Sequence, residues 1–141
     1  MPLVKVSLKA LKPKDFANEP QTLGEHVARK RHELGLTQEE AAERLGVSSW
    51  TVLNWEKAKT EPPVVSIPAI LRFLGYDPFP APKTLAEELA LKRSRLGWPQ
   101  SRIAEMLGID EATWARWEAG RQVPRGRHTE LIRRFLDRLL V

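Results

Sequence analysis

Cysteine is absent from the 141 residues. That excludes disulfides, thiolate nucleophiles, iron-sulfur ligation and every zinc site built on Cys. Histidine does not fill the gap: His26 and His32 are six residues apart and do not share a helix face as an i, i+4 ligand pair would, and His128 is remote. No metal site and no cofactor are expected. No stretch approaches the 18 or more apolar residues of a membrane span, and the opening MPLVKVSLKALKPK scatters its lysines through its apolar part, unlike a signal peptide. The reading at this level is a chain of the cytoplasm. Aromatics make up only 7%, yet five of them are Trp, so any small core leans on a few large rings. The length suits one ordinary domain or two small ones, and neither nucleophile, phosphate loop nor metal cluster is visible, so catalysis is not expected.

The formal charge is +5, from 23 Lys and Arg against 18 Asp and Glu, which favours a polyanionic partner. Its distribution is uneven. Residues 22 to 79 carry seven basic against eight acidic side chains, net −1, whereas residues 82 to 141 carry twelve against eight, net +4.

An internal duplication organises the chain. The segment that begins at Thr22 returns at Thr84 with a constant offset of 62 residues. The register holds without a gap through Leu34/Leu96, Gly35/Gly97, Gln38/Gln100, Gly46/Gly108, Trp55/Trp117, Glu56/Glu118 and Pro62/Pro124. Two copies at so long a period mean one small domain twice, not a solenoid. The assignment is 22–79 for the first domain and 84–141 for the second. Between them Gly75 to Lys83 (GYDPFPAPK) reads as a stiff linker, with 80–83 as its end.

The punctuation inside each copy is helical. Thr22 with Glu25 three residues on forms a capping box, Gly35 ends that helix, and Thr84, Glu87 and Gly97 repeat the pattern. A second helix opens at Thr37, with Glu40 to complete its cap, and ends at Gly46. A third runs from Ser48 through Lys57, its counterpart from Asp110 to near Gly120, and a last one over 66–74 and 129–140. The fold class is all-α, with four to five short helices per copy. Trp55, Trp114, Trp117 and Trp98 fall on inward faces, whereas Trp50 projects outward near the start of the third helix.

Leu45-Gly46-Val47 and Leu107-Gly108-Ile109 join two very short amphipathic helices through a turn of three residues. The pattern Q-x-x-x-A-x-x-L-G-V/I-x-x-x-T-x-x-x-W-E resembles the phage-repressor and Cro-like family of transcription regulators, also called the XRE type, over most of the chain. The resemblance implies two tandem lambda-repressor-like helix-turn-helix domains that bind double-stranded DNA and regulate transcription, as a repressor. It implies that the third helix enters the major groove with its first residues at base edges: Ser48, Ser49, Trp50 and Asn54 in copy one, Ala112 and Arg116 in copy two. It places Thr37, Gln38, Lys59, Gln100, Arg102 and Arg121 at phosphates, and partly buried ion pairs at Arg31/Glu56 and Arg93/Glu118. Copy two departs from the family pattern, because Asp110 and Glu111 stand on its reading edge and Pro99 replaces the capping Thr.

Residues 1 to 21 form a basic arm outside the repeat. VKVSLKA at 4–10 alternates with period two and suits either a flexible segment on phosphates or a strand that pairs with a second subunit, so a homodimer through the arm or a helix face is one possible assembly. Nine linker residues at about 3.1 Å each reach about 28 Å, which together with the widths of the domains lets both recognition helices meet one face of a duplex. The competing reading is a protein-interaction module, an antitoxin or adaptor, in which Trp50 or the Asp110/Glu111 edge meets a protein.

Overall fold

Side-chain caps open the first three helices of copy one. In the computed structural model, which describes residues 19–138, Thr22 Oγ1 accepts from the Glu25 amide at 3.1 Å while Glu25 Oε1 accepts from the Thr22 amide at 3.2 Å. This reciprocal pair opens α1 (Leu23–Leu34), and the same exchange between Thr37 and Glu40 opens α2 (Gln38–Leu45). The turn to α3 (Ser49–Glu56) is made by Gly46 at φ +74°, a left-handed conformation that needs no Cβ, and Ser48 caps the helix by accepting from the Thr51 amide. A 3-10 turn (Val64–Ser66) then leads into α4 (Ile67–Leu74).

The second copy repeats the order as α5 (Leu85–Leu96), α6 (Gln100–Leu107), α7 (Glu111–Glu118) and α8 (Arg127–Asp137). Every regular element among the described residues is helical, so the chain is all-α with four α-helices per copy. Its two compact units divide between Pro78 and Phe79. Residues 1–18, which hold the alternating stretch and nearly all of the basic arm, lie outside the described residues, as do 139–141.

The caps of the second copy differ from the sequence expectation in three places. Thr84 caps the Glu87 amide, but Glu87 Oε1 accepts from the Lys83 amide at 2.7 Å, so only half of the box forms. Asp110 stands at the N-cap of α7 without a capping hydrogen bond from its side chain. The last helix begins at Arg127, two residues before the expected Thr129, because Gly126 at φ +57° starts the turn and its carbonyl already accepts from the Thr129 amide. It ends at Asp137, where Arg138 becomes extended and Lys92 Nζ donates to the carbonyls of Phe135, Leu136 and Arg138.

Each unit buries its own cluster. Val27, Ala42, Leu45, Val52, Trp55, Ile70 and Leu74 fill the first, and Leu89, Ile103, Ala104, Trp114, Trp117, Ile132 and Phe135 the second. Where copy one has Val52, copy two has Trp114, packed edge-on against Phe135 with ring centroids 5.7 Å apart. In unit one α1 lies so close to the end of α3 that a Cβ on Gly24 would sit 1.8 Å from the Trp55 carbonyl oxygen. Just beyond α3, Ala58 holds φ +59° where copy two has Gly120 at +74°.

Across unit one, His26 Nδ1 and the Tyr76 hydroxyl are 2.7 Å apart and their rings meet edge-on. Burial, with Arg29 adding to it, holds His26 below its ordinary value, against the opposing pull of Glu19 and Glu25.

Ala58→Gly relieves a left-handed alanine and should stabilise unit one by up to about 1 kcal/mol, a rise of a few degrees in melting temperature. Gly24→Ala forces the helices apart and should cost about 1–3 kcal/mol. Calorimetry on the two variants checks both signs. For His26, the unfolded chain binds a proton more readily than the folded one. Stability should therefore fall as pH drops through about 6.5 towards the lowered folded value, with no His26 contribution above that window. Melting curves between about pH 8 and pH 5 should be flatter for His26→Gln. An identical slope in that variant would assign the pH dependence to another group.

Candidate nucleic-acid interface

Glu56 at the last position of α3 and Glu118 at the last of α7 have side chains only 8% and 9% exposed. A carboxylate that far from water must be given donors. Arg31 on α1 supplies two, with Nε 2.7 Å from Glu56 Oε2 and Nη2 2.9 Å from Oε1, and its Nη1 donates to the Leu36 carbonyl at 3.0 Å. Gln38, the first residue of α2, donates from Nε2 to Glu56 Oε1 at 3.1 Å. In copy two Arg93 holds Glu118 in the same fork and reaches the Trp98 carbonyl at 2.9 Å, and Gln100 Nε2 lies 3.0 Å from Glu118 Oε1. A fourth donor joins there, the Trp114 indole N–H. Each network ties the first helix, the start of the second and the end of the third into one frame.

That frame presents the first residues of α3 and α7. In copy one Trp50 is 67% exposed, Ser48 is exposed, and Ser49 and Asn54 are half-buried. The Ser48 hydroxyl is occupied by its cap and by Thr51 Oγ1 at 2.9 Å. In copy two Asp110, Glu111 and Ala112 are exposed. Arg116 is exposed too, but its Nε donates to Gln122 Oε1 at 3.0 Å and its Nη2 lies 3.4 Å from Thr113 Oγ1, so the guanidinium is held toward the following loop.

The residues assigned to phosphate fall into two sets. Thr37 and Gln38 are engaged inside the protein, Thr37 as a cap and Gln38 with one of its two amide hydrogens on Glu56. Gln100 is engaged likewise. Lys59 and Arg121 are exposed just past the third helices, in matching turns where each amide donates at 2.9 Å to the carbonyl of Asn54 or Arg116. Arg102 is exposed and lies over the Trp98 ring, 4.1 Å from its centroid.

Sequence reasoning missed Gln122, the indole donor of Trp114, and the ring of Trp98 as a seat for Arg102. The last left a trace in the repeat: relative to copy one, Leu36 becomes Trp98 and Glu40 becomes Arg102, two linked changes four residues apart.

A family model described as "Helix-turn-helix" matches residues 27–79, and a second, described as "Helix-turn-helix domain", matches residues 84–141. A protein of Methanothermobacter thermautotrophicus (strain Delta H), described as an uncharacterized HTH-type transcriptional regulator, is 45% identical over 51 residues, which are 36% of this chain and 74% of that protein. No solved structure matches the chain.

The buried networks yield a test that touches no exposed group. Glu56→Gln leaves Arg31 without its charged partner and should cost about 3–5 kcal/mol of unit one stability. Urea unfolding followed on unit one signals reads the loss, and an unchanged midpoint would mean that the pair adds nothing to the fold.

Proposed function

Because the chain belongs to the helix-turn-helix family of DNA-binding transcriptional regulators, we propose that it is a sequence-specific repressor whose two copies divide the work of recognition. Copy one reads bases with Ser49 and Asn54, with Trp50 against a thymine methyl or deoxyribose and Ser48 at the helix start. Copy two supplies most of the grip, and Ala112 and Arg116 contribute what base contact it makes. Gln38, Thr37, Lys59, Gln100, Arg102 and Arg121 meet phosphates and fix the register.

One observation carries this division. The reading edge of copy one holds neutral hydrogen-bonding groups, whereas that of copy two holds two exposed carboxylates, Asp110 and Glu111, in the unit with the excess of positive charge. Carboxylates at base edges are repelled by the flanking phosphates, while uniform positive charge attracts any duplex. Repression is the mode that needs least, since a protein seated on an operator excludes others from it. The chain works in this reading as a binding protein of the cytoplasm, not as an enzyme. No helix among the described residues is long and apolar enough to cross a membrane.

Selection from a random duplex pool, followed by binding to the selected operator and its single-base variants, tests the proposal. Asn54→Ala should relax base preference at one or two positions by about 1–3 kcal/mol each, whereas Arg121→Ala should weaken specific and random duplex about equally. Log affinity should fall with log salt by several units, roughly 0.9 per neutralised phosphate. If Arg116→Ala abolishes preference and Asn54→Ala does not, the roles of the copies are reversed. A slope near zero with tight capture of a protein partner would favour the interaction-module reading instead.

A further inference from the structure

The two copies open their second helices with different chemistry. Copy one reads Leu36-Thr37-Gln38-Glu39-Glu40 and copy two, 62 residues on, Trp98-Pro99-Gln100-Ser101-Arg102. The glutamine is kept and the other four residues change. In copy one Thr37 and Glu40 cap each other. In copy two Pro99 stands at the cap with φ −69° and forms no side-chain cap, and the residue in the place of Glu40 is Arg102, stacked on the indole that replaced Leu36. The formal charge of the five residues goes from −2 to +1.

A seat over a ring instead of beside a carboxylate leaves the guanidinium available. An arginine paired with a carboxylate spends its N–H groups, whereas one lying on a ring spends only a face and keeps five edge donors for another acceptor. Among the described residues no carboxylate pairs with Arg102. Trp98 in turn is half-buried and packs against the second core, and its carbonyl accepts from Arg93, so the seat is rigid. An arginine ordered before binding loses less rotamer freedom when it meets its ligand.

We propose that Trp98 is a positioning residue for the grip on DNA: it holds Arg102 extended on its ring so that the start of α6 anchors a phosphate, a role for which the acidic start of α2 is unsuited. This rests on the reading above, in which the starts of the second helices run past the DNA backbone. Phosphate fits because its planar pairs of oxygens match the guanidinium edge in a bidentate contact.

The test measures binding of the full chain to random-sequence duplex over a range of salt. Arg102→Ala should flatten the salt slope by about 0.9. Trp98→Leu, which restores the residue of copy one, should leave the slope intact while weakening affinity by roughly two- to fivefold, the scale of an exposed cation–π contact. Trp98→Phe keeps an aromatic face and should recover most of the loss. In the Arg102→Ala background, Trp98→Leu should cost no further affinity, a result that a merely structural Trp98 would not give. The proposal is overturned if Trp98→Leu costs the same affinity with and without Arg102, or if Arg102→Ala leaves a slope of several units unchanged. A wild-type chain with no salt dependence would overturn the DNA-backbone reading itself, and this proposal with it.

Discussion

A carboxylate at the end of the recognition helix, nearly withdrawn from water, is the constraint on which each domain turns. The Glu56 carboxylate needs donors from elsewhere there, and the chain provides them from α1 through Arg31 and from the first residue of α2 through Gln38. Arg31 also takes the carbonyl of Leu36, so the loop between α1 and α2 is bound into the same knot. Three helices that already meet through Val27, Ala42, Leu45, Val52 and Trp55 are thereby also tied at a polar point. A buried pair of this kind is a poor source of net stability, but it joins α1, the start of α2 and the end of α3 at one point.

The frame is conserved between the copies while nearly everything hung on it changes. Trp114 in place of Val52 enlarges the core and adds an indole donor to Glu118, so the second carboxylate is satisfied four times where the first is satisfied three times. Outside the frame, neutral Ser49 and Asn54 give way to Glu111 and Arg116, the latter turned toward Gln122. The copies thus share a skeleton and differ in surface chemistry, as the separation between a determined core and a permissive exterior allows.

Much of this was legible in the sequence because it is written locally. Capping residues stand three apart, a left-handed C-cap calls for glycine, and Trp at a repeated register marks an inward face, so α1 to α3 and their counterparts lay within a residue or two of their observed ends. The last helix of copy two did not, because Thr129 has the chemistry of a cap while Gly126 has the backbone freedom that started the turn earlier. Gly24 was silent for a different reason: its need for a bare Cα comes from the Trp55 carbonyl, thirty-one residues away, and no local pattern records such an approach. Likewise the engagement of Gln38 and Gln100 by a glutamate eighteen residues on is a property of the folded packing. What sequence composition could give was the charge difference between the copies, without the contacts that decide which arginines are available.

Joining two such domains by a short linker changes what each must do. When one copy is seated, the other meets the duplex at an effective concentration set by the tether, in the millimolar range for short linkers, provided the span fits. A module with weak, sequence-tolerant affinity then multiplies the binding of its neighbour without any selectivity of its own. Specificity is a difference between sites, so a grip that is equal on all sequences raises occupancy everywhere and leaves the ratio to the reading copy. In the proposed division carboxylates on the edge of copy two cost little, since recognition there would not depend on its base contacts. In that division an excess of positive charge would be useful on copy two and harmful on copy one, where strong backbone attraction would hold the chain on random DNA. The split of net charge, −1 over residues 22 to 79 and +4 over residues 82 to 141, has the sign that the proposed division calls for.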